Sequence, residues 1–246
     1  MSIRSLRAAV SFLTVVPVAN ADGSAGERLG RAYFPAIGAL VGLVAGLVFV
    51  VAAALATPLL GAAAAVATLT LLTGALHLDG LADSADGLLG RGDVERRLAV
   101  MRDPRLGSYG VATLVVVLVL EVAALASMSP ARALVGLVIA GALSRLATLV
   151  VIASVPYVRE SGLGNIAFET RHRGVDLLVG VLITALVCVL DWKRALVAAV
   201  LVAISTLAVV ALARRRLGGA TGDVCGATAE LGQLAALLAF AATTLK

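Results

Sequence analysis

Asp79, Asp83 and Asp86 stand four and three residues apart in the run His77-Leu78-Asp79-Gly80-Leu81-Ala82-Asp83-Ser84-Ala85-Asp86-Gly87, directly after a long apolar stretch. In a helix these are positions i, i+4 and i+7, offset by about 40° and about −20°, so the three carboxyls share one face. Lipid has no use for three acids, whereas a hard divalent cation does. Mg²⁺ takes a few carboxylate oxygens and completes its shell with water and substrate phosphates, which points to metal-assisted phosphoryl or phosphodiester chemistry. A solvated helix start with Asp79 as its N-cap would explain one acid and not three. His77, beside Asp79, is a candidate base or a group that orients one.

Three further polar segments qualify as parts of a site. Met101-Arg102-Asp103-Pro104-Arg105-Leu106-Gly107-Ser108-Tyr109-Gly110 precedes an apolar run. A basic loop beside a membrane is ordinarily an anchor, yet Asp103 and Arg105 flanking Pro104, then Gly107 and Ser108 at a helix start, suit a phosphate held by backbone N–H groups. Asp103 is a third candidate catalytic group. Gly218-Gly219-Ala220-Thr221-Gly222-Asp223-Val224-Cys225-Gly226-Ala227 follows Arg214-Arg215-Arg216. Its glycines let backbone amides approach an anion, which nominates Gly219, Thr221 and Gly222, and Asp223 adds a metal ligand. Val158-Arg159-Glu160-Ser161-Gly162-Leu163-Gly164 is the weakest of the set and contributes Arg159 as a substrate-binding candidate.

The elements that position these residues belong to a membrane. Of 246 residues 61% are hydrophobic and 14% charged, and the mean hydropathy is +1.04; soluble domains carry roughly 25% charged residues. The expected fold is an all-α polytopic bundle forming a single integral membrane domain over residues 1–246. Seven apolar spans run Tyr33 to Thr57, Leu59 to Leu76, Tyr109 to Met128, Arg132 to Val155, Val175 to Leu190, Ala195 to Ala213 and Ala229 to Leu245. Leu6 to Val18 is interrupted by Ser11, Thr14 and Pro17 and reads as an interfacial or re-entrant segment rather than a cleavable signal. Gly38, Gly42 and Gly46 give overlapping GxxxG spacings and predict close helix packing. Cys188 and Cys225 lack partners at disulfide or zinc spacing.

Orientation follows from the basic residues. With the first span entering from the cytoplasm, fifteen of the 20 Lys and Arg fall on that side. All four polar segments then face the cytoplasm, although topology was set by Arg and Lys and the motifs are mostly Asp and Gly. The net charge of +5 is thereby membrane topology and not affinity for nucleic acid. Inside the spans, Glu121 lies about 18 Å along its helix from Tyr109 and Arg145 about 15 Å from Val155. That suits a direct pair in an antiparallel hairpin, since both are costly in lipid when unpaired.

The acidic run, together with Arg102-Asp103-Pro104-Arg105-Leu106-Gly107-Ser108-Tyr109-Gly110 and Thr221-Gly222-Asp223-Val224-Cys225-Gly226-Ala227, resembles the adenosylcobinamide-GDP ribazoletransferase family, also called cobalamin synthases. Phe12-Leu13-Thr14-Val15-Val16-Pro17 and Tyr33-Phe34-Pro35 resemble that family's opening pattern, and the likeness runs end to end. Ser84, Pro104 and Cys225 look like tolerated variants. The resemblance implies a phosphotransferase-type enzyme that joins α-ribazole, or its 5′-phosphate, to adenosylcobinamide-GDP, releases GMP and uses Mg²⁺. The ribose 3′-hydroxyl would attack the cobinamide-side phosphorus. Metal ions would sit on Asp79, Asp83 and Asp86; Arg102, Arg105 and Gly218 to Gly226 would hold the GDP phosphates; Asp83 or His77 would take the hydroxyl proton. It also implies the inner membrane of a prokaryote, contact with membrane lipid, and association with other enzymes of the pathway.

Two rival functions meet the residues less well. The CDP-alcohol phosphatidyltransferase pattern D-G-x-x-A-R-x8-G-x3-D-x3-D has Asp83 and Ser84 in its Ala and Arg places here, and lacks its downstream aspartates. An ion-coupled transporter would hold its acids near the midplane, often within inverted repeats, whereas these cluster at a membrane edge and no repeat is present.

Overall fold

The protein is described here as a computed structural model covering residues 2–18, 29–159, 167–168 and 172–242. Among these residues the chain is helical with no β-strand, and a single isolated bridge joins Tyr157 to Ala220. The helices are α1 (Ile3–Leu13), α2 (Phe34–Leu55), α3 (Pro58–Thr73), α4 (Leu76–Leu89), α5 (Val94–Val100), α6 (Ser108–Ala126), α7 (Pro130–Ser154), α8 (Arg173–Cys188), α9 (Trp192–Leu217) and α10 (Gly222–Ala241). α7 and α10 are the most enclosed of the membrane-length helices. α2 and α6 turn rows such as Leu40, Leu43, Val44, Leu47 and Val111, Val115, Val116, Val119 outward, as lipid contact requires.

Small residues bring the central pair together. A Cβ on Gly38 would collide with the backbone carbonyl of Gly141, and one on Gly42 with that of Leu137. The GxxxG stripe of α2 thus meets α7 backbone to backbone, as the spacing predicts.

Among the described residues five helical stretches are long and apolar enough to cross a membrane, or six if the bent pair α3–α4 counts as one span. The expected count of seven differs in two places. Arg173–Leu217 is one apolar stretch of 45 residues, but it breaks at Asp191, whose φ of −152° is non-helical. Its two ends return to one face of the bundle, where Arg31 pairs with Asp176 at 2.9 Å and Arg214 donates to Ser154 O. The second difference is the span expected to end at Leu76. It stops at Thr73 because Gly74 and Ala75 are both left-handed, at φ of 59° and 58°, and α4 leaves at 90°. α4 therefore runs across the starts of α6 and α10 instead of continuing α3.

The last span also begins earlier than expected, at Gly222 rather than Ala229. The side chain of Thr221 accepts the N–H of Val224 and caps it. α1 is an amphipathic helix of 11 residues opened by a Ser2–Ser5 capping box, in keeping with an interfacial segment.

Candidate functional site

The site forms where α4 crosses the start of α10. A Cβ on Gly80 would lie 2.9 Å from Asp223 O and 3.1 Å from the Cα of Gly226, so two glycines set the approach of the helices. The crossing brings the carboxylates of α4 to Asp223, 140 residues further along the chain. Beside it opens a cavity of about 290 Å³ lined by His77 and Asp79 of α4, Asp223 and Cys225 of α10, Arg159, and a wall of aromatic and aliphatic residues from α1, α2 and α7.

Electrostatics mark Asp83 as the unusual carboxyl. Partial burial first, then the neighbouring Asp79 and Asp223, push its pKa up to about 7, and Arg159 opposes them only in part. Arg159 binds Asp223 at 2.5 Å and donates to Met101 O at 3.2 Å, and its buried Nε has no partner among the described residues. A half-satisfied guanidinium beside a carboxylate cluster can still take an anionic oxygen. Among the described residues no three His, Cys, Asp or Glu side chains are grouped closely enough to hold a metal ion, so the expected ligands Asp79, Asp83, Asp86 and Asp223 are not brought together as one set.

Asp86 has a structural task that the α4 spacing conceals. Its two oxygens accept the N–H of Gly107 at 2.8 Å and of Gly110 at 2.9 Å, and so cap the first turn of α6. The expectation that Gly107 offers its amide to a phosphate is corrected by the same bond. Asp86→Ala leaves two amides of a packed helix start unpaired and is expected to cost about 1–3 kcal/mol. Asp86→Asn, retaining one acceptor, should cost less. Thermal unfolding in detergent distinguishes the two, and equal melting for Ala and wild type would refute the cap.

The other expected site residues divide. Asp103 accepts from the backbone N–H and side chain of Arg105, with the ion pair at 2.6 Å, and this local partner holds its pKa down to about 2. A carboxylate so committed is a poor proton acceptor near neutral pH, which argues against the catalytic role expected for it. Arg102 and Arg105 are exposed on a loop whose Met101 carbonyl touches Arg159, and Ser108 is exposed at the first position of α6. Gly219 sits where the chain pairs with residues 156–158, through Ala220 N to Pro156 O at 2.8 Å and Val158 N to Ala220 O at 3.1 Å. The glycine run expected to bring its amides to an anion is, at Gly219 and Ala220, a tie between segments. Thr221 is a buried helix cap, and Gly222 opens α10 at the cavity. Glu160-Ser161-Gly162-Leu163-Gly164 lies outside the described residues.

His77 is held from behind. Arg145 Nη2 donates to His77 Nδ1 across 3.4 Å, and Arg145 Nη1 donates to Gln233 Oε1 at 3.2 Å. Gln233 Nε2 in turn donates to Glu121 Oε1 at 3.1 Å. The expected direct Glu121–Arg145 pair is thus bridged by Gln233, with Glu230 lining the same small pocket. Gln233 and Glu230 lie inside the expected span Ala229 to Leu245 but are not singled out by the sequence analysis, and neither are Tyr157 and Phe168 of the cavity. Glutamine and glutamate within an apolar run were the available signal for the first two.

A family model described as cobalamin-5-phosphate synthase matches residues 5–241. An adenosylcobinamide-GDP ribazoletransferase of Bradyrhizobium diazoefficiens is 39% identical over 244 residues, covering 98% of this chain and 94% of that protein. Proteins of the same name from Pseudomonas savastanoi pv. phaseolicola and Pseudomonas syringae pv. syringae are 42% and 43% identical, each over 95% of this chain and 97% of their own length. No solved structure matches.

Proposed function

The chain belongs to the cobalamin-5-phosphate synthase family, transferases of cobalamin synthesis, and on that premise we propose how its site works. The reaction is transfer of the cobinamide phosphate of adenosylcobinamide-GDP to the 3′-hydroxyl of α-ribazole or its 5′-phosphate. One P–O bond forms at the ribose oxygen, the pyrophosphate P–O bond breaks, and GMP leaves. The observation that carries this reading is the α4–α10 crossing, which puts Asp79, Asp223 and Arg159 on the wall of one cavity, with Asp83 close enough to feel the charge of all three.

Asp83 takes the hydroxyl proton. A carboxyl with a pKa near 7 is half ionised at working pH and is a stronger base than an ordinary aspartate. Arg159 and the amides at the start of α10 face the phosphates. Asp79 and Asp223 would hold Mg²⁺ beside Asp83, because repelling carboxylates at an open site suit an ion that keeps water and phosphate ligands. Bound there, Mg²⁺ supplies neutralisation of pyrophosphate charge. The site faces the cytoplasm of a prokaryotic inner membrane, as the arginine distribution favours. Turnover by purified protein in detergent, followed as GMP and cobalamin product with and without chelator, tests the reading; absence of product with these substrates rejects it.

The carboxylate cluster also predicts a pH dependence. Asp83 binds its proton more tightly folded than unfolded, so metal-free protein should lose stability as pH rises from about 4 through about 7 and level off above. Mg²⁺ should then raise the melting temperature more at pH 8 than at pH 5, and an equal rise at both would count against these ligands.

His77 is a donor in this scheme. A guanidinium has no acceptor, so the contact with Arg145 requires Nδ1 to be unprotonated and places the proton of a neutral ring on Nε2. His77→Gln, which keeps an N–H near that position, should retain turnover within about tenfold, whereas His77→Ala should lose about 10²–10³. A Gln variant as inactive as Ala would return the base role to His77.

A further inference from the structure

The cavity beside the carboxylates is apolar on the side away from them. Phe12 of α1 stacks on Phe34 of α2 with ring centroids 5.9 Å apart, and Tyr157 lies 4.7 Å from Phe168. All four line the cavity, with Ile152 of α7. Of the polar groups on its wall, Thr148 donates to Ser144 O and Cys225 O, Arg159 binds Asp223, and His77 faces Arg145 with one nitrogen, which leaves the polar capacity gathered at the Asp79 and Asp223 carboxylates, Arg159 and the second His77 nitrogen.

Size and chemistry together select an occupant. A volume of about 290 Å³ lies near the lower bound of small-molecule sites, roughly 300 Å³. That is room for a nucleoside and too little for a corrin ring. Of the two nucleosides in the reaction, guanosine carries donors and acceptors all along its base edge, and burying them against rings and aliphatic carbons without partners is costly. A benzimidazole presents a hydrocarbon edge and a flat π face, which aromatic walls accept.

We infer that this cavity is the acceptor subsite, holding the benzimidazole base of the α-ribazole nucleoside between Phe12, Phe34 and Phe168 with its ribose directed at Asp79 and Asp223 and so toward the neighbouring Asp83. The donor, with its corrin and guanosine, stays outside the cavity. The assignment rests on the transfer reaction proposed above. α1 then has a task beyond anchoring, because it supplies Phe12 and Leu13 to the wall.

The test is steady-state kinetics of full-length protein in detergent with each substrate varied in turn. Phe12→Ala should raise KM for α-ribazole at least tenfold and leave KM for adenosylcobinamide-GDP within twofold, and Phe12→Trp should restore much of the loss. Free 5,6-dimethylbenzimidazole should compete with α-ribazole and not with the donor, while guanosine should compete with neither for this site. An unaltered donor KM shows that the Ala variant is folded. A rise in donor KM instead, or competition of guanosine with the donor that Phe12→Ala abolishes, would assign the cavity to the donor and overturn the inference, as would unchanged KM values for both. Wild-type protein with no transfer at all would reject the reaction itself, a separate failure.

Discussion

Asp83→Asn is expected to lower kcat by about 10²–10⁴, the range for loss of a positioned base, while the protein folds at least as well as wild type. The two halves of the result share one cause. Asp83 is a half-buried carboxyl raised to about 7 by burial and by Asp79 and Asp223, and its side chain makes no hydrogen bond among the described residues that the fold needs. Replacing it with a neutral amide relieves repulsion, so melting at pH 8 should be unchanged or higher even as turnover collapses. Asp86→Ala should show the reverse weighting, with melting lowered because the α6 cap is lost. Measuring kcat and melting temperature for both variants separates the two aspartates. Full turnover in Asp83→Asn would remove it from the chemistry.

That contrast also shows what the chain conveys before it folds. Asp79, Asp83 and Asp86 are equivalent in spacing, and nothing in the run distinguishes them. Their roles diverge because α6 begins against Asp86 and α10 crosses at Gly80, both long-range facts. Features with a local cause were legible: the lipid-facing runs, the GxxxG approach of α2 to α7, and the acidic face itself. The right-angle break at Gly74–Ala75 was not, because Ala is an ordinary helix former and takes φ of 58° here only under tertiary constraint. The start of α10 was hidden by glycines that read as a loop, although Thr221 is a serviceable cap residue. The aromatic cavity depends on four segments meeting, and no period in any of them announces it.

Arg145→Met should be the most destabilising single change in the bundle, at about 3–5 kcal/mol, the range for removing one partner of a buried charge network. Arg145 is 3% exposed and its guanidinium is the donor that Ser144 Oγ, Gln233 Oε1 and His77 Nδ1 all use. Methionine fills comparable volume, and the stem is held where Gly38 leaves room for it. Packing is therefore largely kept, and the cost is electrostatic: Glu121 at 1% exposure and Glu230 at 6% lose the cation that shares their pocket. Arg145→Lys keeps the charge but cannot reach three acceptors from one fork, so it should fall between. The expected readout is loss of monodisperse protein in detergent and a lower melting temperature. Adding Glu121→Gln to Arg145→Met should recover part of the loss, since an amide can accept from and donate to Gln233 without needing a counter-charge. The recovered protein should still turn over poorly, because His77 has lost the group that fixes its ring while the bundle has regained its charge balance. Recovery of stability and activity together would mean that Arg145 serves the fold alone; recovery of neither would mean that Glu121 is not its electrostatic partner.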